Sequence, residues 1–219
     1  MKDIHVLTPF YRTHLAPTLI HYLEPMGVQW YPICEDRHYS SEFSSRNWIT
    51  PLLVDALSES DQCYIRFNQF QDAHLVDDND YYCFMGDDDA YEPGFFDIIR
   101  RQTAKILIVS LSRGDRIPEC DPEKHPTNPL IMNSIRDVQV CNIGLPQYII
   151  KGEIFKQMRF RNDHCWNDGH FAEKLKEWFP NDFHFLPDTF VFGNYFQEGR
   201  YFGTQWMLKP TWRHPRIIK

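Results

Sequence analysis

The sequence predicts an α/β domain in which helices flank a mainly parallel central β-sheet. Apolar runs of strand length alternate with segments of helical periodicity from residue 4 to residue 111. Several of these runs end on polar or acidic residues, as parallel strands do where they meet a ligand. The chain has 219 residues, of which 42% are hydrophobic, so it is long enough to bury one core. We therefore expect a single domain.

The first half of the chain is predicted to consist of strand–helix units. Apolar runs predict strands at residues 4–7, 28–34, 63–67, 81–85 and 105–111. Apolar side chains at helical spacing predict helices at residues 13–24, at residues 48–57 and after Pro93, which suits the first position of a helix. Residues 37–46 and 69–80 are polar and are expected to form loops.

The second half is less regular. Residues 113–129 carry four prolines and are predicted to form a long connection. A strand is predicted at residues 147–150, and an amphipathic helix at residues 169–179 has Phe171, Leu175 and Trp178 on one face. Two short strands are predicted at residues 183–186 and 189–192, on either side of a Pro-Asp pair. The segment from residue 193 onward is aromatic and basic.

Composition and charge narrow the function classes. The formal net charge of -7 disfavours binding to nucleic acid, which needs a basic surface. The six cysteines are scattered without a CxxC pair, which disfavours a zinc ribbon and suits a reducing compartment. No signal peptide is visible, and no window approaches the 18 apolar residues of a transmembrane segment. We expect a cytoplasmic protein without a transmembrane segment.

Three predicted strands end on polar residues, and these ends are expected to meet at one edge of the sheet. They are Thr8-Pro9, Glu35-Asp36 and the three aspartates at residues 87–89. In open α/β sheets, ligands bind outside the carboxyl ends of the strands. The sequence therefore predicts a ligand site at this edge.

The three consecutive aspartates suit a divalent metal ion. Carboxylate oxygens are preferred by Mg²⁺ and Mn²⁺, which commonly take one or two carboxylates and complete their coordination with substrate phosphates. On an extended strand end, Asp87 and Asp89 would point to one side and Asp88 to the other. The alternative is a solvated acidic turn before a helix, where aspartate is also favoured.

The motifs carry a resemblance to a known family. The stretch YYCFMGDDD, residues 81–89, followed by EPGFF, residues 92–96, resembles the DxD signature of GT-A fold glycosyltransferases, especially the family-two-like branch. The stretch HVLTPFYR, residues 5–12, looks like that family's first strand, and CED, residues 34–36, looks like the acidic end of its second strand. The resemblance covers about residues 3–101 and extends less closely to about residue 190. The compact size is also similar to glycosyltransferase domains of large algal viruses.

This resemblance implies roles for the residues that match the family's motifs. Thr8 and Pro9 would cup the nucleotide, and Asp36 would contact the base or ribose. Phe10 and Tyr11 would stack on a pyrimidine base, with ordinary packing as the alternative. The remaining roles fall to the aspartates: Asp89 as principal ligand of Mn²⁺ or Mg²⁺, Asp87 near the metal or ribose, and Asp88 on the ribose or donor sugar.

A catalytic base is expected just before the late helix. By the resemblance, an acidic residue there would take the proton from an acceptor hydroxyl, and Asp168 is the first candidate and Asp163 the second. The segment NDHCWNDGHF, residues 162–171, departs from the family's more usual Glu-Asp pair. The alternative is that Asn167 or Asp168 caps the helix.

The resemblance implies a metal-dependent glycosyltransferase that transfers a sugar, with inversion, from a nucleotide-diphosphate sugar such as a UDP-sugar to a hydroxyl of a carbohydrate or glycan acceptor. Residues 1–112 would form the nucleotide-sugar-binding half, residues 113–192 the acceptor half and residues 193–219 a C-terminal tail. By the same resemblance, His184 or His214 would be a further metal ligand. The basic aromatic tail would close over the diphosphate, with Arg200 or Arg213 pairing with it, and the alternative is a C-terminal segment packed on the domain.

Two other functions are consistent with the same architecture. A sugar-nucleotide pyrophosphorylase normally carries a glycine-rich phosphate loop after the first strand, and residues 8–12 contain no glycine. A catalytically silent nucleotide-sugar or carbohydrate-binding module would bind without turnover.

Overall fold

In the computed structural model, the described residues are 3–55, 64–73, 75–112, 130–140, 142–161 and 167–193. They form a mixed sheet of eight strands with helices on both faces, which confirms the predicted α/β class. The strands are β1 (Ile4–Pro9), β2 (Gln29–Cys34), β3 (Leu52–Leu53), β4 (Tyr81–Phe84), β5 (Ala90–Tyr91), β6 (Ile106–Ser112), β7 (Tyr148–Lys151) and β8 (Phe183–Phe192). The α-helices are α1 (Ala16–Leu23), α2 (Tyr64–Asp72), α3 (Phe95–Arg100), α4 (Gly152–Phe155) and α5 (Asn167–Trp178).

The strand order places the polar strand ends side by side. Across the sheet the order is β3-β2-β1-β4-β7-β6-β8-β5. The first four of these strands pair in parallel, whereas β7 is antiparallel to both β4 and β6. Beyond it, β8 is parallel to β6, and β5 is antiparallel to β8. The carboxyl ends of β1, β2 and β4 therefore lie at one edge, as the sequence predicted.

Alternate residues of each central strand enter two separate apolar layers. On β4, Tyr81 and Cys83 face the layer that contains α1 and α3, whereas Tyr82 and Phe84 face the layer that contains α2, α4 and α5. Strand β6 alternates in the same way. This period of two is expected of strands that are covered on both faces.

The predicted helix at residues 48–57 is wrong over residues 48–55, and residues 56–57 lie outside the described residues. Trp48 and Thr50 are bonded to the backbone of Trp30 on β2, and residues 52–53 form the short edge strand β3. Pro51 accounts for this difference, because it has no N–H to donate and disfavours helical backbone at the residue before it. The apolar residues that suggested a helix lie instead in an extended segment beside β2.

The predicted strand at residues 63–67 is also wrong, because helix α2 begins at Tyr64 and continues into the predicted loop. Its buried residues are Arg66, Phe67, Phe70 and Gln71, which share one helical face. The β-branched and aromatic residues at its beginning favoured a strand, but tertiary packing of Phe67 and Phe70 overrides that propensity. Residue 63 lies outside the described residues.

Two smaller differences concern the carboxyl-terminal part. The two predicted strands at residues 183–186 and 189–192 are one strand, β8, whose register against β6 shifts between Val109 and Ser110. Helix α5 is confirmed, but Trp178 is 53% exposed and does not share the buried face of Phe171 and Leu175. Among the described residues, no helix combines the length and apolar character needed to cross a bilayer.

Candidate active site

The aspartates at residues 87–89 lie in a turn, which corrects the predicted extended strand end. Strand β4 ends at Phe84, and the N–H of Asp89 donates to the carbonyl of Gly86 at 3.2 Å. The alternation expected of a strand therefore does not apply. Each carboxylate has different surroundings, and its chemistry follows from its contacts.

Asp87 joins the end of β4 to the loop that follows β1. Its Oδ2 accepts backbone N–H bonds from Tyr11 and Arg12, both at 2.9 Å, and its Oδ1 is paired with the guanidinium of Arg12. The carboxylate is buried. Burial raises the pKa of Asp87 above its ordinary value, although the two N–H bonds and the Arg12 charge oppose the rise. Asp87 is thus an anchor for the loop.

Asp88 and Asp89 come together over Gly86. A Cβ added to Gly86 would lie 2.8 Å from Asp89 Oδ2 and 3.2 Å from Asp88 Oδ1. The absence of a side chain at this position therefore leaves room for both carboxylates. Asp89 Oδ2 accepts the N–H of Gly86 at 2.9 Å, whereas Asp88 Oδ2 is buried without a hydrogen-bond partner. A buried carboxylate oxygen without a partner favours a bound cation.

A buried arginine lies beneath the loop after β1. The side chain of Arg66, on α2, is fully buried and donates to Glu35 Oε1 and to the hydroxyl of Tyr11, both at 2.8 Å. Its guanidinium carbon lies 4.6 Å from the centroid of the Tyr11 ring. Arg37 pairs with the other oxygen of Glu35 at 2.7 Å. Tyr11 is thereby held between the ends of β1 and β2.

The two arginines determine the ionisation of Glu35. Burial alone would raise the pKa of Glu35, but the hydrogen bonds and charges of Arg37 and Arg66 outweigh it and hold that pKa below its ordinary value. Glu35 therefore remains a carboxylate at neutral pH.

A cleft of about 490 Å³ lies beside the carboxyl end of β2, between β3 and α2. Its lining residues are Asp36, Leu52, Leu53, Val54, Asp55, Gln69 and Ala73. Asp36 is exposed here, so the structure places this predicted nucleotide contact at the wall of a cleft. Its apolar side comes from β3.

Three residues that were predicted to contact the nucleotide are buried and do not reach the surface of the site. Thr8 and Pro9 belong to β1 and are buried, and the Thr8 hydroxyl accepts the indole N–H of Trp30 at 2.9 Å. Phe10 is fully buried and packs edge-on against Trp30 and Phe43. The ring of Phe10 is therefore a core side chain, as the alternative of ordinary packing predicted. Tyr11, which is 36% exposed, is the aromatic residue of this loop that can meet a ligand.

The beginning of α5 lies near the carboxyl end of β4. Phe171 stacks on Phe160 at 4.0 Å between centroids and contacts Phe84, the last residue of β4, at 6.3 Å. Asp168 lies one turn before Phe171 and is half-buried, and its Oδ1 accepts the N–H of Gly169 at 2.8 Å. The ring contacts of Phe171 thus place the first turns of α5 beside the last residue of β4. Asp163 lies outside the described residues.

The side chain of Asn167 does not cap α5. It is fully buried, and within the described part of the chain neither its side-chain oxygen nor its nitrogen has a hydrogen-bond partner. No signal in the sequence distinguished it from an ordinary cap residue.

His184 does not reach the aspartate turn. It lies near the beginning of β8, paired with Leu107, and β8 is the third strand from β4 in the sheet. At about 4.8 Å per strand, this places it about 14 Å to the side of β4. His214, Arg200 and Arg213 lie outside the described residues.

The aspartate turn offers part of the coordination shell of a metal ion. Both oxygens of Asp87 are engaged in this structure, Oδ2 by two backbone N–H groups and Oδ1 by the guanidinium of Arg12. Asp88 and Asp89 converge, and one oxygen of Asp88 lacks a partner. Among the described residues, no group of three or more His, Cys, Asp or Glu side chains is placed to hold a metal. Substrate oxygens would have to complete the coordination, as they do at many Mg²⁺ sites.

Sequence reasoning missed the two arginines that organise the site. Arg12 stood inside the quoted motif without a role, and Arg66 stood in the segment that was predicted as a strand. Arg66 could have been found as a charged residue within an apolar run. A buried guanidinium requires a buried acceptor, so such a residue indicates a buried ion pair.

No protein-family model matches the chain, and no curated protein matches it in sequence. Among solved structures it is similar to TarS 1–349 of S. aureus, with a TM-score of 0.57, 12% identity, and coverage of 88% of this chain and 60% of that one. The chain thus spans less than two thirds of the TarS structure.

Two further structures score lower. 4-Diphosphocytidyl-2C-methyl-D-erythritol synthase has a TM-score of 0.49 and 8% identity, covering 80% of this chain and 85% of that one. The glycosyltransferase GlyE of Streptococcus pneumoniae TIGR4 has a TM-score of 0.46 and 11% identity, covering 86% of this chain and 46% of that one. At these identities the likeness is one of fold. The chain has a GT-A-like α/β fold, which it shares with the TarS structure.

Proposed function

We propose that this protein is a metal-dependent glycosyltransferase that transfers a sugar from a nucleotide-diphosphate sugar, a UDP-sugar in the first instance, to a hydroxyl of a carbohydrate or glycan acceptor. The observation that carries the proposal is the convergence of two acidic strand ends, those of β2 and β4, on the loop after β1 of a GT-A-like fold. Asp87 bonds that loop to β4, and Glu35 reaches it through Arg66.

The nucleoside would bind between Tyr11 and the cleft at Asp36. The ring of Tyr11 is fixed by Arg66 and remains partly exposed, so it offers a flat apolar surface to a base. Asp36 offers a hydrogen-bond acceptor at the wall of the neighbouring cleft, suited to the N–H of a pyrimidine or a ribose hydroxyl. This arrangement supports a pyrimidine nucleotide.

Asp88 and Asp89 would hold Mn²⁺ or Mg²⁺, and Asp87 would keep the loop after β1 in place beside them. When bound, the metal supplies positive charge that stabilises the departing diphosphate. Placing Asp88 in this role adds a ligand to the predicted pair of Asp87 and Asp89. Asp87 can offer only Oδ1, and only when the Arg12 guanidinium leaves that oxygen.

Asp168 would act as general base. Its position at the beginning of α5, near the carboxyl end of β4, supports this role. A carboxylate that takes the proton of the attacking acceptor hydroxyl, on the face opposite the leaving diphosphate, produces inversion at the anomeric carbon.

The pyrophosphorylase alternative is disfavoured by the hydrogen bonds of the loop after β1. A phosphate-binding loop offers free backbone N–H groups to the ligand. Here the N–H groups of Tyr11 and Arg12 are both donated to Asp87, and that of Phe10 is donated to Ile33. The loop therefore has little left with which to cradle a phosphate.

Release of UDP from UDP-sugars in the presence of Mn²⁺ tests the proposal, with sugar acceptors added in turn. We expect metal-dependent release that an acceptor accelerates, and a product of inverted anomeric configuration by NMR. A pyrophosphorylase would instead convert the donor and pyrophosphate into a nucleoside triphosphate and a sugar phosphate. Binding without any turnover across donors and acceptors would favour the silent module.

A further inference from the structure

Arg12 occupies the position of a cation among the aspartates. Its Nη1 pairs with Oδ1 of Asp87 and lies 3.4 Å from Oδ1 of Asp88. The side chains of these two aspartates are only 3% and 10% exposed. Adjacent carboxylates with so little solvent around them repel each other unless a positive charge lies between them. In this structure, Arg12 provides that charge.

The neutralisation by Arg12 is incomplete. One guanidinium faces two buried carboxylates, its contact with Asp88 is long, and Oδ2 of Asp88 is buried without a hydrogen-bond partner. A divalent cation carries enough charge for both carboxylates. Arg12 therefore leaves negative charge on the two carboxylates uncompensated, and a divalent ion would compensate it.

The guanidinium can leave without releasing the loop. Asp87 Oδ2 remains bonded to the backbone N–H groups of Tyr11 and Arg12 whatever the Arg12 side chain does. That side chain is 39% exposed, so water can receive it. The backbone anchor and the side-chain charge are thus separable, although both belong to the same residue.

We propose that Arg12 is the built-in counter-ion of the aspartate turn and that a divalent cation binds there by displacing its guanidinium. The displaced side chain stays tethered to the loop after β1, where its planar donors suit the phosphate groups of the donor. The metal role of this turn rests on the proposed function. The exchange itself does not depend on any sugar nucleotide.

Binding of Mn²⁺ in the absence of nucleotide tests the exchange. Electron paramagnetic resonance of free Mn²⁺ measures the dissociation constant for the wild type, for Arg12→Gln and for Arg46→Gln. Arg46 is a matched control, because it pairs with Glu24 at 2.9 Å, is 42% exposed and belongs to another loop. We expect Arg12→Gln to bind Mn²⁺ about tenfold more tightly than the wild type, on the order of the effect of one neighbouring charge. Equal affinities of Arg12→Gln and wild type, or an equal gain in Arg46→Gln, would overturn the proposal.

A second measurement uses the wild type and remains decisive if Arg12→Gln does not fold. Phenylglyoxal modifies exposed guanidinium groups, and peptide mass spectrometry reports each arginine separately. Labelling of Arg12 should become faster at saturating Mn²⁺, while labelling of Arg46 stays constant. Labelling of Arg12 that is slowed or unchanged by Mn²⁺ contradicts displacement.

Titration of the wild type with UDP and UDP-sugars separates the two proposals. Tighter Mn²⁺ binding by Arg12→Gln together with no nucleotide binding would support the exchange and reject the glycosyltransferase. Metal-dependent nucleotide binding with unchanged Mn²⁺ affinity in Arg12→Gln would do the reverse.

Discussion

The guanidinium of Arg66 holds the side chain of Tyr11 by two contacts at once. Its Nε donates to the Tyr11 hydroxyl at 2.8 Å, and its central carbon lies 4.6 Å from the ring centroid. Arg66 belongs to α2 and Tyr11 to the loop after β1, so the pair joins two elements that flank the candidate site. The ring is therefore ordered before any ligand arrives, which lowers the entropy cost of binding to it.

Removing the ring of Tyr11 is expected to weaken nucleotide binding. Stacking of a base on an aromatic side chain is worth about 1–3 kcal/mol, and Tyr11→Ala should lose that amount for UDP in calorimetry with Mn²⁺. Tyr11→Phe keeps the ring and loses the hydroxyl that accepts the bond from Arg66, so its loss of affinity should be smaller. If the two variants bind UDP equally weakly, the ring is not the binding surface.

Replacing Arg66 is expected to destabilise the fold. Arg66→Met leaves Glu35 buried with only the more exposed Arg37 as its partner, and breaking a buried ion pair costs about 3–5 kcal/mol. Urea unfolding measures the change. Arg37→Gln is the control, because Arg37 contacts the same carboxylate but is 71% exposed, and an exposed pair contributes about 0–1 kcal/mol. Similar losses in the two variants would contradict the role given to the buried pair.

Lowering the pH is expected to lower the free energy of unfolding, in part through protonation of Glu35. Because its pKa is lowered in the folded state, Glu35 contributes stability above the ordinary value of 4.5, and that contribution is lost as the pH falls through the lowered pKa. Glu35→Gln should therefore show a shallower fall in the free energy of unfolding below about pH 4.5. Asp97→Asn removes a carboxylate that is 69% exposed and serves as the control. An unchanged slope in Glu35→Gln would contradict the assignment.

Asp168→Asn is expected to abolish turnover without weakening donor binding. A general base contributes about 10²–10⁴-fold to the rate, and the amide cannot accept the acceptor proton. Turnover is measured by UDP release, and donor binding by calorimetry. Glu173→Gln is the control and should retain activity, because it removes a charge five residues further along the same helix. Glu173 Oε1 accepts the N–H of Val140. Full activity in Asp168→Asn would exclude Asp168 as the base.

The position of the site could be predicted from the sequence, because each strand end is recognisable from the residues around it. Each apolar run and its acidic end could be recognised without tertiary information, and the order of the strands then brought residues 9, 34 and 84 to one edge. The aspartate turn was placed correctly along the chain. Its internal geometry was not, because Gly86 permits a turn that strand alternation cannot anticipate.

The remaining differences came from tertiary contacts. Arg66 looked like a misplaced charge in a strand, and only the approach of Glu35 and Tyr11 explains its burial. Phe10 and Tyr11 are neighbours with the same aromatic character, yet one packs against Trp30 and the other is partly exposed. Which of two adjacent rings faces the core depends on the layer beneath them, and periodicity in a loop does not encode it.

The central claim is that a metal ion and a nucleotide-diphosphate sugar bind together at the carboxyl edge of β1, β2 and β4. The most direct measurement is thermal stabilisation of the wild type and of Asp88→Asn by UDP-, GDP- and CMP-sugars, each with and without Mn²⁺. The account predicts that UDP-sugars raise the melting temperature of the wild type only when Mn²⁺ is present, and that Asp88→Asn loses this shift. No metal-dependent shift with any donor, or an equal shift in Asp88→Asn, would contradict it.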